Sequence, residues 1–228
     1  IARVMAKMLY NAGVLQENKL IEVERKDLVA EYVGQTAPKT MAVIEKAIGG
    51  VLFIDEAYSL ISGKQDQVGR EALTELVEAM ESANGEFAVV MAGYPDDMEN
   101  LINTNSGLTS RMKKFLLEDY TEKELEQIFL LKCKSQKVVI DEALKPQIPV
   151  YFYNKKRATL RAINWGNGRE AENLLRDMLH KWNENKVMGK DEDDNDVRVL
   201  TEAHKPENLS RFFKGKLPKN YDDVTAMD

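Results

Sequence analysis

The fold is decided by the stretch Val51-Leu52-Phe53-Ile54-Asp55-Glu56-Ala57. Four consecutive apolar residues predict a strand buried on both faces, which is typical of the centre of a parallel sheet covered by helices. Asp55 and Glu56 follow directly, and open α/β sheets bind their ligands at this carboxyl end of the strands. The stretch therefore predicts an α/β fold with two carboxylates at a ligand-binding edge.

Outward from this stretch, strands alternate with helices. Further strands are predicted at Leu20 to Val23, Phe87 to Met91 and Phe115 to Leu117. Apolar periodicity and helix-boundary residues predict helices over 1–12, 38–48 and 68–83. This alternation indicates βαβ units and a parallel sheet flanked by helices.

After Asp119 the pattern becomes mostly helical. Helices are predicted over 121–136, which begins with the capping pair Thr121 and Glu124, and over 141–152 and 168–186. A short strand is predicted at 197–200. The acidic run 190–196 lacks the spacing of a calcium-binding EF-hand, so a solvated loop is the favoured interpretation. From Lys205 the chain is polar and mixed, and is interpreted as a tail.

Composition narrows the class of protein. The 228 residues are 43% hydrophobic and 31% charged, with a net charge of −6, so a folded core is expected and a protein that wraps nucleic acid is disfavoured. The one cysteine, Cys133, excludes an internal disulfide within this sequence and is interpreted as an apolar filler rather than a reactive thiol. No apolar run reaches the length of a membrane span. An intracellular protein is expected.

Asp55 and Glu56 have the chemistry of a nucleoside-triphosphate site. In such a site the first carboxylate holds Mg²⁺ through water, and the second polarises the water that attacks the γ-phosphate. The alternative is that one of the two merely caps the helix that follows.

Four segments then carry a family resemblance: Asp27-Leu28-Val29-Ala30-Glu31-Tyr32-Val33-Gly34-Gln35-Thr36-Ala37-Pro38-Lys39-Thr40, the stretch from Gly50 to Tyr58, the stretch from Ala92 to Met98, and Ser106-Gly107-Leu108-Thr109-Ser110-Arg111. Together they resemble the CbxX/CfqX family of AAA+ ATPases, which includes red-type Rubisco activases and relatives of stage V sporulation protein K. The resemblance covers about residues 1–185. It implies a P-loop-type α/β domain over 1–119, a helical lid domain over 120–204 and a tail over 205–228.

The resemblance also implies roles for individual residues. Tyr32, Val33 and Gly34 match a pore loop, in which the aromatic ring grips an unfolded client and the glycine lets the loop move. Arg111 matches an arginine finger that reaches the ATP of a neighbouring subunit. The alternatives are a tyrosine that closes the core beneath a loop and an ordinary surface arginine.

The second half of the chain carries one more match. Asn167-Gly168-Arg169 resembles the sensor-2 position of the family, which implies that Arg169 contacts phosphate and couples the nucleotide state to the angle between domains. A second arginine is common three residues later, but here that position is Glu172. The alternative for Arg169 is a pairing with a nearby carboxylate. Sensor 1 stays unassigned, with Asn105 as one option.

A phosphate-binding loop of the form Gly-x-x-x-x-Gly-Lys-[Ser/Thr] is absent from these residues. Residues 1–6 resemble the helix that follows this loop in the family, so the loop is expected immediately upstream of Ile1. With it, the chain is expected to bind ATP and Mg²⁺ and to hydrolyse ATP. A degenerate loop would instead favour a non-hydrolysing scaffold or regulatory subunit of a mixed ring.

The expected partners are other subunits of a ring, a hexamer in the preferred hypothesis, and a client protein, with Rubisco as one candidate. Nucleic-acid remodelling is a third hypothesis, based on Lys113-Lys114 and Lys155-Lys156-Arg157. The acidic total disfavours it and favours solvated faces at both runs. No membrane partner is expected, and the location is taken as cytoplasmic, with a plastid as the alternative.

Overall fold

The computed structural model describes residues 1–32, 34–63, 65–82, 85–159, 165–191 and 193–217. The chain divides into two compact units, Ile1–Leu116 and Leu117–Asp228. We describe each unit by itself. The domain bounds expected from the sequence stay a prediction.

The first unit alternates strands and helices. Its strands are β1 (Leu20–Val23), β2 (Val51–Ile54) and β3 (Ala88–Met91). Its helices are α1 (Ala2–Asn11), α2 (Arg25–Leu28), α3 (Thr36–Ala47), α4 (Gln67–Ser82), α5 (Pro95–Asn103) and α6 (Ser106–Arg111), with a short 3₁₀-helix at Ala57–Leu60. The predicted helices over 1–12, 38–48 and 68–83 correspond to α1, α3 and α4.

The three strands form a parallel sheet in the order β1-β2-β3. The predicted central position of β2 is confirmed, and Val51, Leu52 and Ile54 are fully buried. Leu52 and Ile54 belong to a large core that also includes Leu73 and Leu76 of α4. Val51 belongs to a smaller core with Ala6 of α1. Apolar packing on both faces explains the uninterrupted apolar run of β2, whose carboxyl end carries Asp55 and Glu56.

The strand predicted at Phe115 to Leu117 is wrong. These residues are not in regular structure, and their side chains are 69%, 74% and 66% exposed. An apolar run becomes a strand only where a neighbouring strand satisfies its backbone groups. Among the described residues, β3 pairs with β2 alone, and no strand pairs with Phe115 to Leu117.

The second unit is mainly helical, with a small sheet. Its helices are α7 (Glu122–Ser135), α8 (Gln147–Thr159) and α9 (Gly168–Glu184), with 3₁₀-helices at Glu202–His204 and Glu207–Phe213. Its strands are β4 (Val138–Ile140), β5 (Met188–Lys190) and β6 (Asp196–Leu200), in the order β4-β6-β5. The capping pair predicted for α7 is confirmed: the Thr121 hydroxyl accepts from the Glu124 amide, and the Glu124 carboxylate accepts from the Thr121 amide at 2.8 Å.

The core of the second unit reaches into the segment interpreted as a polar tail. Leu209, Phe212 and Phe213 are buried and pack with Tyr151, whose ring centroid lies 4.8 Å from that of Phe213. The polar interpretation therefore does not hold for these three residues, because the charged side chains between them mask their apolar spacing. Cys133 is buried in the same core, and burial raises the pKa of its thiol to about 12. This confirms its interpretation as an apolar filler.

No helix within the described ranges is both long and apolar enough to cross a membrane.

Candidate functional site

The carboxyl end of β2 presents two exposed carboxylates. The Asp55 amide donates to the carbonyl oxygen of Val23 at 3.2 Å, which continues the pairing of β2 with β1 past its last residue. Oδ1 of Asp55 accepts from the Glu56 amide at 3.0 Å. The sheet therefore fixes the backbone here, while both side chains stay accessible to solvent.

Glu56 has an unusual backbone conformation. Its φ is 47° and its ψ is 45°, in the left-handed region that non-glycine residues rarely adopt. The flanking hydrogen bonds hold it there: Ala57 N donates to Ala92 O at 2.9 Å, and Ser59 N donates to Glu56 O at 2.7 Å. Glu56 stands at the N-cap of the 3₁₀-helix, yet its side chain makes no capping hydrogen bond. The carboxylate is thus free of the capping role considered as its alternative.

Tyr58 is the aromatic neighbour of this edge. Desolvation, followed by the negative charge of Glu56, raises the pKa of its hydroxyl. Its ring lies 6.3 Å from that of Tyr94, and a Cβ added at Gly93 would meet the Tyr58 ring at 2.7 Å. A residue larger than glycine at position 93 would therefore displace the Tyr58 ring or the Met98 side chain.

The segment between α2 and α3 exposes Tyr32 on a fixed stem. The Tyr32 side chain is 66% exposed, and Gly34 has a φ of 85° that favours glycine. The buried Thr36 hydroxyl accepts from the Ala30 amide, and Nζ of Lys39 donates to the carbonyl oxygen of Val29 at 3.0 Å. Tyr32 does not close the core, which was its alternative. Val33, the middle residue of the predicted loop, lies outside the described residues.

An open pocket of about 720 Å³ joins these two features. Asp55 and Glu56 line one part of it, and Ala30 and Glu31, just before Tyr32, line another. The carboxylates and Tyr32 are 23 to 24 positions apart in the sequence, and the fold brings the carboxylates and the two residues just before Tyr32 to one pocket.

Arg25 is a residue of this region that sequence reasoning missed. Its Nη1 donates to Ser59 O at 2.9 Å, to Leu60 O, and to Oδ2 of Asp66 at 2.7 Å. Arg25 thus ties α2, which precedes the Tyr32 loop, to the segment after Glu56 and to the start of α4. The one signal in the sequence is Asp66, an aspartate directly before a helix.

The carboxylate of Asp66 is 5% exposed and accepts two further hydrogen bonds. Oδ2 accepts from Ser62 N at 2.6 Å, and Oδ1 accepts from Gly69 N at 2.9 Å. Burial alone would raise the pKa of Asp66, but the hydrogen bonds from Arg25 and the two amides outweigh it and lower the pKa to about 2. Asp66 is therefore a buried, ionised carboxylate that stabilises this region through its hydrogen bonds.

Arg111, the predicted arginine finger, lies at the end of α6. Its Nη2 is 3.0 Å from Oε2 of Glu81, and its Nη1 donates to Gly107 O at 3.2 Å and to the Ser110 hydroxyl. Within the described part of the chain these polar contacts do not include Asp55 or Glu56. The Glu81 carboxylate is 69% exposed, so the ion pair is a weak one, worth about 0–1 kcal/mol.

In the second unit, Arg169 lies in the first turn of α9 and is exposed. Its guanidinium makes no hydrogen bond or ion pair with the residues that the structure describes, so the carboxylate pairing considered as its alternative is not seen. Glu172 instead lies 3.3 Å from Nζ of Lys132. Asn105, the option for sensor 1, uses its side chain to cap α6 by accepting from Gly107 N at 2.8 Å.

The basic runs considered for nucleic acid are largely engaged. Lys114 lies 3.5 Å from Glu99, and Lys155 and Lys156 lie 3.6 Å and 3.9 Å from Glu170 and Glu122. These contacts fit solvated faces.

The edge of β2 fits a magnesium nucleotide in its donor set. Asp55 uses Oδ1 on a backbone amide, and its Oδ2 has no hydrogen-bond partner among the described residues. Mg²⁺ prefers carboxylate and water oxygens as ligands. Within the described ranges, no group of three or more His, Cys, Asp and Glu side chains is arranged to hold a metal ion.

Two family matches cover most of the chain. Residues 1–120 match the ATPase family associated with various cellular activities (AAA), and residues 121–207 match the AAA lid domain. The crystal structure of the FIGL-1 AAA domain in complex with ADP has the same fold, with a TM-score of 0.54 and 16% identity over 90% of this chain and 66% of that chain.

Curated relatives extend these matches. The chain is 36% identical to stage V sporulation protein K of Bacillus subtilis, 47% identical to the ESX-1 secretion system protein EccA1 of Mycobacterium tuberculosis H37Rv, and 36% identical to the chloroplastic ribulose bisphosphate carboxylase/oxygenase activase of Cyanidioschyzon merolae. Each alignment covers 77% of this chain, but only 54%, 32% and 59% of the respective relative. With its parallel sheet, its lid and these relatives, the chain belongs to the AAA ATPase family and is of the CbxX/CfqX type.

Proposed function

We propose that the chain is the AAA+ ATPase module of a ring-forming protein remodeller, which couples ATP hydrolysis to pulling a client polypeptide through a pore. The observation that carries the proposal is the pocket shared by Asp55, Glu56 and the stem of the Tyr32 loop. Because these groups line one pocket, a movement of the carboxylates on nucleotide binding or hydrolysis would be close enough to shift the loop that would hold the client.

The cofactors in this proposal are ATP and Mg²⁺. Asp55 would hold the metal through water, and Glu56 would orient the attacking water and take its proton. Bound Mg²⁺ supplies neutralisation of phosphate charge. The proposal requires a phosphate-binding loop, which these 228 residues do not contain.

Two arginines would complete the site. Arg111 would leave its weak pair with Glu81 and reach the ATP of the neighbouring subunit, where a guanidinium stabilises the charge of the transferred phosphoryl group. Arg169 would contact phosphate from the lid, and the lack of a partner for its guanidinium among the described residues supports that role. Arg111 does not line the pocket at the end of β2.

The Tyr32 loop would contact the client. A flat, exposed, amphipathic ring packs on many kinds of side chain, which suits a pore that handles unfolded polypeptide. The ring in this proposal is a hexamer, with Tyr32, Val33 and Gly34 of each subunit facing the pore. Rubisco is one candidate client, since one relative is named as its activase. A cytoplasmic location, or a plastid one, is part of the same proposal.

The test of the enzymatic part is Glu56→Gln in the full-length protein with an intact phosphate loop, with Glu31→Gln as the matched control in the same pocket. We expect Glu56→Gln to lower the ATPase rate at least about a hundredfold, as for loss of a general base, and to keep nucleotide affinity. Glu31→Gln should hydrolyse ATP at the wild-type rate. Wild-type hydrolysis by Glu56→Gln would overturn the assigned role.

The test of the client loop uses a permanently unfolded, fluorescently labelled polypeptide with blocked cysteines. Tyr32→Ala should lose ATP-dependent translocation of this probe while it still hydrolyses ATP. Tyr32→Phe should retain translocation, because the ring rather than the hydroxyl makes the contact. Equal translocation by Tyr32→Ala and wild type would remove Tyr32 from the pore.

The second candidate function is a non-hydrolysing scaffold or regulatory subunit of a mixed ring. A degenerate phosphate-binding loop in the full-length protein would favour this function, and an intact loop would favour the enzyme. Such a subunit would show no hydrolysis alone, yet would raise the ATPase rate of a neighbour through Arg111.

A further inference from the structure

Asn167 holds the segment that enters the second unit. Its Oδ1 accepts from the Tyr120 amide at 3.0 Å, and its Nδ2 donates to Oδ1 of Asp119 at 3.0 Å. A carboxamide is a neutral side chain that can donate and accept at once, and here it does both towards two consecutive residues 47 and 48 positions earlier in the chain.

The backbone of Asn167 shows that this contact is enforced. Its φ is 47° and its ψ is −126°, a conformation that non-glycine residues rarely adopt and that persists only where the surroundings determine it. Asn167 is also the N-cap of α9, a position at which asparagine normally bonds to the first turn of its own helix. Its side chain makes no such capping bond. The amide has been turned from the helix to Asp119 and Tyr120.

Tyr120 is held from a second direction as well. Nζ of Lys156, on α8, donates to the carbonyl oxygen of Tyr120 at 3.2 Å. A Cβ added at Gly168 would lie 3.3 Å from the Tyr120 ring, so the start of α9 also packs closely on that ring. Both peptide groups of Tyr120 are therefore used by the second unit, the amide by Asn167 and the carbonyl by Lys156.

Three neighbouring residues at the start of α9 have different surroundings. Glu170 is buried, accepts from the Tyr151 hydroxyl at 2.6 Å and lies 3.6 Å from Nζ of Lys155, so it anchors the turn to the core. Arg169 is exposed and its guanidinium is free of described partners. Asn167 faces the connecting segment, by which we mean Asp119 and Tyr120. A displacement of the Arg169 side chain would therefore affect a helical turn that is bonded to the core through Glu170 and to Asp119 and Tyr120 through Asn167.

We propose that Asn167 is a positioning residue that transmits ligand contact at Arg169 to the connecting segment at Asp119 and Tyr120. The inference rests on the proposed function in one respect, namely that Arg169 contacts nucleotide phosphate. The structural part of it, the hold on Tyr120, does not depend on nucleotide.

The experiment measures hydrogen exchange of the Tyr120 amide in the full-length protein, without nucleotide and with saturating ADP and Mg²⁺. Asn167→Gly is the main variant, because glycine accepts the backbone conformation and removes only the amide. Asn185→Gly, at the exposed far end of the same helix, is the matched control. Without nucleotide, we expect Asn167→Gly to speed exchange at Tyr120 about fivefold to tenfold, as for loss of one hydrogen bond, and Asn185→Gly to leave it unchanged.

With nucleotide, wild-type exchange at Tyr120 should slow further, and this additional slowing should vanish in both Asn167→Gly and Arg169→Ala. A rescue pair sharpens the test. Asn167→Asp keeps an oxygen that can accept from the Tyr120 amide, but it loses the donor to Asp119 and sets two carboxylates against each other, so it should weaken the nucleotide-dependent slowing. Adding Asp119→Asn returns a donor to face the carboxylate at position 167 and should restore the wild-type response.

Three results would overturn the inference without contradicting the proposed function. Unchanged exchange of the Tyr120 amide in Asn167→Gly without nucleotide would show that the Asn167 side chain does not protect this amide. Full nucleotide-dependent slowing in Asn167→Gly would show that Arg169 acts through another route. Nucleotide binding by the wild type with no slowing at Tyr120 would overturn the coupling and leave the proposed function standing. A wild type with an intact phosphate loop that binds no nucleotide, measured with a fluorescent ADP, would instead overturn the proposed function, and the coupling with it.

Discussion

Arg25 donates from Nη1 to Oδ2 of Asp66 at 2.7 Å, across 41 positions of sequence. The same nitrogen donates to the carbonyl oxygen of Ser59, three residues after Glu56. One guanidinium therefore holds α2, which precedes the Tyr32 loop, to the segment that follows β2, and the charge of Asp66 keeps that guanidinium in place.

This ion pair predicts a specific dependence of stability on pH. The pKa of Asp66 falls from 3.8 to about 2 on folding, so its contribution is fully present above pH 4 and is lost as the pH falls through 2. At pH 7 it amounts to on the order of 2 kcal/mol. We expect Asp66→Asn to lower the free energy of unfolding of the first unit by this amount at pH 7, and by roughly half as much at pH 3.

Urea unfolding from pH 7 to pH 3 measures this difference. Asp193→Asn, an exposed aspartate in the second unit, serves as the control and should match the wild type at each pH. A constant difference between wild type and Asp66→Asn across this range would contradict the prediction.

The pair between Arg111 and Glu81 predicts how the arginine acts. Because the pair is partly exposed, Arg111→Ala should cost no more than about 1 kcal/mol of stability, while the ATPase rate of the assembled protein falls at least about a hundredfold. Glu81→Gln should keep the wild-type rate, since it removes only the resting partner of Arg111.

Mixed rings distinguish action within a subunit from action on a neighbour. An equal mixture of Arg111→Ala and Glu56→Gln subunits should regain hydrolysis at about a quarter of its sites, where an intact Glu56 meets an intact Arg111 across a head-to-tail interface. No recovery in a mixture that co-assembles by size-exclusion chromatography would mean that Arg111 does not act across subunits.

The buried aromatic residues near the end of the described chain predict the stability of the second unit. Phe213 is 4% exposed and packs on Tyr151, whose hydroxyl donates to Glu170 beside Arg169. Phe213→Ala should lower the free energy of unfolding of this unit by about 3–5 kcal/mol, measured by urea denaturation. Lys214→Ala, one residue further, should change it by less than about 0.5 kcal/mol, and equal losses for the two would contradict the packing.

The best-predicted parts of the fold are those whose signals lie close together in the sequence. β2 could be predicted because an uninterrupted run of four apolar residues indicates a strand buried on both faces. Asp55 and Glu56 could be placed at its carboxyl end because they follow it directly in the sequence. The capping pair of α7 spans only three positions. The strand β4 has only three residues and depends on β6, about 60 positions away, so local periodicity could not reveal it. The error at Phe115 to Leu117 has the same origin, because a strand needs a neighbour that local sequence does not supply.

The candidate site likewise has residues that the sequence could indicate and contacts that it could not. Their position directly after β2 was sufficient to nominate Asp55 and Glu56, and the family resemblance nominated Tyr32, Arg111 and Arg169. Neither signal could indicate that Arg111 rests on Glu81, that Arg25 braces the segment that follows β2, or that Asn167 faces Tyr120. Each of these contacts joins segments 30 to 47 positions apart, and their partners are ordinary surface residue types whose pairing is set by the packing of the helices.

The single cysteine of this sequence also has a practical value. Cys133 is 2% exposed and its thiol has a pKa of about 12, so almost none of it is in the thiolate form that reacts with maleimide at neutral pH. A fluorophore could therefore be attached to one cysteine introduced at Tyr32 and another on α9, with little background from Cys133. Distances between such probes would report on the movement of the loop and the lid during turnover, molecule by molecule.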